Sequence, residues 1–207
     1  RPPPASLQVV VAGGEVTPPA IVSAWADRVR WVTVYGPTEA TVCASACVRT
    51  PANAHLPCLG APFPYIQYHI HGLDESPVSQ AHVLSPLPRL TTRLADNVTT
   101  QQTKDTTTDQ HNNGHIEGEL WIGGKAVALG YWRNAIRTQE SFVDKEGQRW
   151  FRTRDVVRWE NGMLLFIGRL DRQIKHNGQL VQLDDVEHTL QGCPLVAQVV
   201  VVHKENR

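Results

Sequence analysis

A five-residue segment carries the clearest chemistry in the chain. Residues 35–39 read Tyr-Gly-Pro-Thr-Glu and follow an apolar run that predicts a strand. An aromatic face, a tight turn, a hydroxyl and a carboxylate at this spacing could stack on a base, hydrogen-bond a phosphate and ligate Mg²⁺ through oxygen. An ordinary glycine-proline turn with an exposed Glu39 is the better explanation when the segment is taken alone.

The elements before this segment predict an α/β unit. Residues 7–12 form a short apolar run that ends at two glycines, which is the pattern of a buried parallel strand. Residues 18 and 19 are prolines that can open a helix over 20–28, and residues 31–35 read as a second strand. Ligands of such sheets gather at the carboxyl ends of the strands.

From residue 59 onward the pattern changes to short alternating stretches, which predict a β-rich subdomain resembling a small barrel. Strands are expected at 65–70, 118–122 and 163–167, and a helix at 184–190. The chain is therefore divided into 1–58, the end of an α/β core; 59–170, the β-rich part; and 171–207, the start of a smaller α+β subdomain.

Residues 91–115 form a polar insertion, with six threonines between Thr99 and Thr108. So few large apolar groups cannot offset the entropy lost on ordering, so we expect a disordered loop. A metal site at His111 and His115 is the alternative here, and Cys43 and Cys47 with His55 form another, although their spacing fits no common zinc pattern.

Composition limits the remaining classes. The 207 residues carry 20 basic and 20 acidic side chains, so nothing in the charge pattern indicates a nucleic-acid or membrane partner. The longest apolar runs are far shorter than the roughly 20 residues of a membrane helix. Four cysteines favour a reducing, cytoplasmic setting. The sequence begins with arginine and has no leader pattern, so we expect it to come from a longer chain.

Four further segments keep a fixed order around residues 35–39. They are Gly-Gly-Glu at 13–15, the glycine-rich stretch 118–132 from Gly-Glu-Leu-Trp to Gly-Tyr-Trp, Phe-Arg-Thr-Arg-Asp at 151–155, and 168–178, which starts Gly-Arg-Leu-Asp. In this order they resemble the motifs of the adenylate-forming superfamily, and the proline at 37 is most similar to peptide synthetase adenylation domains. An acyl-CoA synthetase is the nearest alternative within the same fold.

The resemblance implies a partial adenylate-forming (luciferase-like) fold that uses ATP and Mg²⁺ to activate an amino acid. The aminoacyl group would pass to phosphopantetheine on a peptidyl carrier domain, beside condensation domains of the same synthetase. The phosphate-cradling loop would precede residue 1, and the lysine that contacts the reacting carboxylate would follow residue 207. We therefore expect no activity from the isolated segment.

The resemblance also implies roles for individual residues. Thr38 would contact the α-phosphate and Glu39 would hold Mg²⁺, so these two form the catalytic pair. Tyr35 would pack against adenine, and Asp155 would accept hydrogen bonds from the ribose hydroxyls. The other implied positions are the adenine-facing Gly13 and Gly14, Arg169 near ribose and phosphate, and the subdomain hinge at Asp171.

The same alignment places five small or apolar residues along the amino-acid pocket, which favours an uncharged substrate. They are Val11, Gly13, Val34, Val42 and Cys43. For Cys43 a role as a small buried hydrophobe is equally consistent with its type.

Three positions depart from the family pattern, which has glycine at Arg154 and arginine at Leu129 and Asn177. Arg154 matters most, because its long side chain could pair with Asp155 and compete with the ribose. These departures keep open a noncatalytic, adenylation-like module that retains the fold as a scaffold.

Overall fold

The computed structural model describes residues 2–73, 116–160, 162–176 and 179–203. The chain divides into two compact units, Arg1–Gly168 and Arg169–Arg207. The predicted boundaries at residues 59 and 171 stay predictions. The polar insertion 91–115, with His111 and His115, lies outside the described residues, as does Asn177.

The first unit begins with a four-stranded sheet in the order β1-β2-β3-β4. Its strands are β1 (Val9–Gly13), β2 (Arg30–Tyr35), β3 (Ser45–Arg49) and β4 (Ala61–Pro62), and helix α1 (Pro19–Trp25) connects the first two. Strands β1 and β2 are parallel, so the predicted strand-helix-strand unit is confirmed. The helix begins at a proline as expected and ends three residues earlier than predicted.

The two faces of this sheet differ because side chains alternate along a strand. One face packs Trp31 against Val22 and Val29, with Trp25 meeting the Trp31 ring edge-on at 6.1 Å. The opposite face leaves Val11 of β1 64% exposed.

A five-stranded antiparallel sheet forms the β-rich part. Its strands are β5 (Ile66–His71), β6 (Ile116–Gly124), β7 (Phe142–Lys145), β8 (Gln148–Glu160) and β9 (Met163–Arg169), and helix α2 (Ala135–Ser141) precedes β7. The order is β5-β6-β8-β7, with β9 also paired to β8. The predicted strands at 65–70, 118–122 and 163–167 are confirmed.

The main core lies on one face of this five-stranded sheet. Alternate residues of neighbouring strands point inward, and the buried side chains include Ile66, Tyr68, Ile70, Leu120, Ile122, Val157 and Leu164. Full burial of each large aliphatic side chain contributes about 1.5–3 kcal/mol. This layer therefore fixes the strand on which Asp155 lies.

The second unit contains a hairpin of β10 (Gln173–His176) and β11 (Gln179–Gln182), followed by helix α3 (Leu183–Gln191). The helix confirms the prediction for 184–190. Arg172 binds both carboxylate oxygens of Glu187, which also accepts the Val201 amide at 2.7 Å. These donors lower the pKa of Glu187 to about 2.

Candidate functional site

The site starts where β1 and β2 end side by side. Gly13 pairs with Val34 across the parallel strands, and a Cβ at Gly13 would lie 2.5 Å from Val34 Cγ2 and 2.7 Å from its carbonyl oxygen. Only glycine permits this approach. Gly14 follows with φ of +88°, a conformation that L side chains rarely adopt, so the chain turns sharply at the strand end.

The turn after Tyr35 leads into a 3-10 helix, Thr38–Ala40. A Cβ on Gly36 would lie 2.5 Å from the carbonyl oxygen of Val42, so the returning chain packs directly on this glycine. The Ala44 amide closes the loop by donating to the Tyr35 carbonyl at 2.7 Å. Thr38 is left exposed and Glu39 half-buried.

Tyr35 and Asp155, here called the inner pair, are joined by a short hydrogen bond from the tyrosine hydroxyl to carboxylate Oδ2. Asp155 is only 6% exposed, and its amide donates to Thr153 Oγ1 at 3.0 Å. Burial first, and then the charge of Asp155, raise the pKa of Tyr35 well above 10.0. The phenol therefore stays protonated and acts as a donor to the carboxylate.

A β-bulge in β8 directs this carboxylate. Glu119 pairs with Val156 and Trp121 with Arg152. Between these two pairs β8 therefore advances by four residues while β6 advances by two, which defines the bulge. Arg154 lies in the bulge with φ of +63°, in the left-handed region that favours glycine. This backbone conformation gives a physical reason for the glycine of the family pattern.

Glu119 braces the bulge from the neighbouring strand. It is 2% exposed, and its two oxygens accept the Arg154 amide at 3.0 Å and the Trp121 indole N–H at 2.9 Å. Arg152 Nη2 lies 3.6 Å from the same carboxylate. The sequence predicted Glu119 only as part of a strand and not in this role, since its partner in β8 appears only once the strands are paired.

Glu39 and Tyr131, here called the outer pair, form a second tyrosine-carboxylate contact. The Tyr131 hydroxyl donates to Glu39 Oε1 at 2.5 Å, and the Ala128 amide donates to the Glu39 carbonyl at 2.8 Å. Burial and then Glu39 raise the pKa of Tyr131. Tyr131 belongs to the Gly-Tyr-Trp sequence that signalled the family, but its contact with Glu39 was not predicted.

The outer pair suits a divalent cation. Within the described ranges, Glu39 Oε2 has no hydrogen-bond partner, while Oε1 is fixed by Tyr131. A half-buried carboxylate with one oxygen held and the other available fits the oxygen ligands that Mg²⁺ prefers. Among the described residues, no group of three or more histidine, cysteine or acidic side chains is placed so that it could hold a metal ion by itself.

The predicted pocket residues only partly meet. Gly13 and Val34 touch, and Val11 lies two residues earlier on the same face of β1. Val42 is 73% exposed with φ of +69°, and Cys43 is half-buried, both in the loop after the 3-10 helix. Their role in selecting a substrate stays a prediction.

Arg169 and Asp171 belong to the second unit. Arg169 Nε and Nη2 bind the two Asp171 oxygens at 2.6 Å and 2.8 Å. Asp171 lies three residues after Gly168, where the first unit ends. The hinge role of Asp171 and the ribose-phosphate role of Arg169 stay predictions. Leu129 is 89% exposed, and its carbonyl accepts Arg149 Nη2 at 2.7 Å.

Comparison with known proteins identifies the family. The sequence profile described as AMP-binding enzyme matches residues 2–132, which is more than half of the chain. The chain therefore belongs to the AMP-binding enzyme family. The resemblance to adenylate-forming domains that the ordered motifs indicated is confirmed.

Among curated proteins, the chain is similar to gramicidin S synthase 1 of Brevibacillus brevis, with 30% identity over 98% of the chain and 16% of that protein. It is 32% identical to the isonitrile lipopeptide synthase of Mycobacterium tuberculosis over 98% of the chain and 7% of that protein. The chain thus spans a small part of these relatives.

Among solved structures, an NRPS protein containing adenylation and PCP domains matches 97% of the chain and 36% of its own length, with a TM-score of 0.69 and 23% identity. The Vibrio cholerae adenylation domain AlmE, solved with glycyl-adenosine-5'-phosphate, gives a TM-score of 0.64 and 24% identity over 90% of the chain and 31% of its own length. These likenesses confirm the predicted partial adenylate-forming fold. No described helix is long and apolar enough to cross a membrane.

Proposed function

We propose that this chain is part of a domain that activates an amino acid with ATP as an aminoacyl-AMP and transfers it to the phosphopantetheine thiol of a carrier protein. The observation that carries the proposal is the inner pair. A buried carboxylate, held by a phenol at the carboxyl ends of parallel strands, faces the region where such sheets bind nucleotides.

In this proposal Asp155 accepts the ribose hydroxyls, and the Tyr35 ring packs on adenine. The carboxylate is oriented in advance by the bulge of β8 and by Thr153, so little reorganisation accompanies nucleotide binding. Gly13 and Gly14 let the backbone approach the adenine and the amino acid. Arg169 would act near the ribose and phosphate.

Thr38 and Glu39 would act at the phosphates. Thr38 is exposed at the start of the 3-10 helix, where its hydroxyl can donate to an α-phosphate oxygen. Glu39 would hold Mg²⁺, which when bound supplies positive charge beside the phosphate oxygens. Tyr131 would fix the position of Glu39 through its hydrogen bond.

The proposal extends to substrate and partners. Val11, Gly13, Val34, Val42 and Cys43 favour an uncharged amino-acid side chain because none of them carries charge. The solved relative that contains adenylation and PCP domains supports a carrier-protein partner. Condensation domains as neighbours, a hinge at Asp171 and a cytoplasmic location belong to the same proposal.

The test is amino-acid-dependent ATP-pyrophosphate exchange by the intact protein over a panel of amino acids. Asp155→Ala should raise the KM for ATP by roughly tenfold or more, because charge-assisted hydrogen bonds contribute about 1.5–3 kcal/mol each. The KM for the amino acid should hardly change. Asp144→Ala, which alters a largely exposed carboxylate on β7, is the matched control.

Three results would count against this assignment. An Asp155→Ala protein with native circular dichroism and an unaltered KM for ATP would remove the ribose role. A wild-type protein that shows no pyrophosphate exchange with any amino acid of the panel would favour the noncatalytic, scaffold-like module. An acyl-CoA synthetase would instead show exchange that depends on a carboxylic acid without an amino group.

A further inference from the structure

Two cysteines outside the nucleotide site face each other in the interior. Cys47 lies on β3 and Cys58 in the segment before β4, and both are buried, at 8% and 4% exposure. The Cys47 thiol donates to the Cys58 sulfur at 3.0 Å. This separation is about 1 Å longer than a disulfide bond, so a small movement would join the sulfurs covalently.

The geometry does not suit a shared metal ion. Two thiolates on one tetrahedral zinc, with Zn–S bonds of about 2.3 Å, lie roughly 3.8 Å apart. Among the described residues, no third histidine, cysteine or acidic side chain completes a ligand group here. The pair is therefore arranged for sulfur-sulfur chemistry.

A buried cation lies near the pair, and its charge acts to lower the pKa of both thiols. Arg49 is 5% exposed, and its Nη2 donates to the carbonyls of Asn53, Ala54 and Leu56 at 2.6–3.0 Å. The ion pairs found in the described part of the chain do not include Arg49. A guanidinium buried without a carboxylate favours a nearby anion, and a thiolate at Cys58 would supply one.

The two thiols are unequal because one of them donates its proton to the other in a hydrogen bond. The hydrogen bond from Cys47 is the main cause that lowers the pKa of Cys58, helped by the Gly60 amide and the charge of Arg49 against the opposing effect of burial. The same hydrogen bond raises the pKa of Cys47. Cys58 is thus the nucleophilic sulfur and Cys47 the resolving thiol.

We propose that Cys47 and Cys58 are a redox modification site that closes a reversible intramolecular disulfide by exchange with a small-molecule disulfide of the glutathione type.

The exchange proceeds in two steps. The Cys58 thiolate attacks one sulfur of the small disulfide, whose S–S bond breaks, and one thiolate leaves. Cys47 then loses its proton to the medium and attacks Cys58 Sγ, which releases the second small thiolate. Two protein thiols are oxidised and one small disulfide is reduced to two thiols. Leu56 and Met163 partly cover the cysteines, so exchange requires local opening.

The bond would connect the two sheets of the first unit. Cys58 bridges to Leu165 of β9, flanked by the hydrogen bonds Leu59 N to Leu164 O and Phe166 N to Pro57 O, each 2.8 Å. Cys47 belongs to the four-stranded sheet. Oxidation would therefore restrain the four-stranded sheet against β9 of the five-stranded sheet. A disulfide of this kind in a reducing compartment is transient and responds to the redox state.

The test equilibrates the chain at pH 7.5 in glutathione buffers of increasing oxidised fraction, followed by acid quench, alkylation in denaturant and peptide mapping. We expect the mass of the protein to fall by two hydrogens and one disulfide-linked peptide to join Cys47 to Cys58. Cys43 and Cys193 should be alkylated. The oxidised chain should melt roughly 5 °C higher than the reduced chain.

Variants separate the two sulfurs. Cys47→Ala should leave Cys58 as a mixed disulfide with glutathione, whereas Cys58→Ala should react more slowly at Cys47. Cys43→Ala and Cys193→Ala are matched controls that should keep the intramolecular bond. The proposal is overturned if wild-type Cys47 and Cys58 are both alkylated in fully oxidised glutathione, or if the mapped disulfide joins any other cysteines. Both outcomes are measured on the wild-type protein, so they do not depend on whether a variant folds.

Discussion

The inner and outer pairs use the same chemistry in different surroundings. Each sets a tyrosine hydroxyl on a carboxylate, and each joins residues far apart in sequence, 120 positions for Tyr35 and Asp155 and 92 for Tyr131 and Glu39. Asp155 is buried, whereas Glu39 is half-buried beside exposed Thr38. Water cannot readily replace a partner lost from the buried carboxylate, whereas it can do so at the more exposed one.

The largest expected difference comes from removing each hydroxyl. Tyr35→Phe leaves the buried Asp155 carboxylate with one donor fewer, so it should lower the free energy of unfolding by about 1.5–3 kcal/mol. Urea denaturation followed by circular dichroism measures the loss. If Tyr35→Phe and Tyr131→Phe lower the free energy of unfolding by the same amount, burial is not what distinguishes the two pairs.

High pH should weaken the inner pair. The folded-state pKa of Tyr35 is raised above about 10, its value when unfolded, so its stabilising contribution is complete below pH 10. The contribution declines as pH rises toward the folded-state pKa, at up to about 1.4 kcal/mol per pH unit, because only the unfolded chain releases the proton. The stability gap between wild type and Tyr35→Phe should narrow from pH 9 to 11. A constant gap would contradict the raised pKa.

The bulge that supports the inner pair offers a smaller test. Arg154→Gly should raise the free energy of unfolding by up to about 1 kcal/mol, because glycine adopts φ of +63° without a steric cost. Arg154→Ala, which keeps the cost and removes only the long side chain, is the control. A lower KM for ATP in both variants would instead indicate that the arginine side chain competes with the ribose at Asp155.

The smallest effect on stability is expected at the outer pair. Tyr131→Phe should change the free energy of unfolding by less than about 0.5 kcal/mol, since water can reach the half-buried Glu39 and replace the hydroxyl. Its effect should appear as weaker Mn²⁺ binding, read by electron paramagnetic resonance of the intact protein with a nonhydrolysable ATP analogue. Unchanged Mn²⁺ affinity together with a loss of 2 kcal/mol would assign Tyr131 a purely structural role.

The sequence predicted the elements that carry strong periodic or apolar patterns. The strands ending at Gly13 and Tyr35, the helix after Pro18 and the helix before Gln191 were all indicated by local pattern. Hairpin β10–β11 and strand β8 were not predicted. Strand β8 was missed because its 13 residues include a bulge and charged side chains, which break the alternating pattern typical of a strand.

The site was predicted less completely than the fold. Motif order indicated Tyr35, Glu39 and Asp155, but no local pattern could indicate that phenols would contact the two carboxylates. Such contacts depend on the pairing of β6 with β8 and on a bulge at Arg154, which are tertiary features. Glu119 was overlooked for the same reason.

The inner pair can form only late in the synthesis of the chain. Tyr35 cannot meet Asp155 until another 120 residues have been translated, which takes roughly 6–24 s at about 5–20 residues per second. During that interval the parallel strands β1 and β2 can pair, but the Tyr35 hydroxyl has no Asp155 carboxylate to bind. The nascent chain is therefore vulnerable for a period fixed by the length of the intervening sequence, and a slow codon after Asp155 would cost less than one before it.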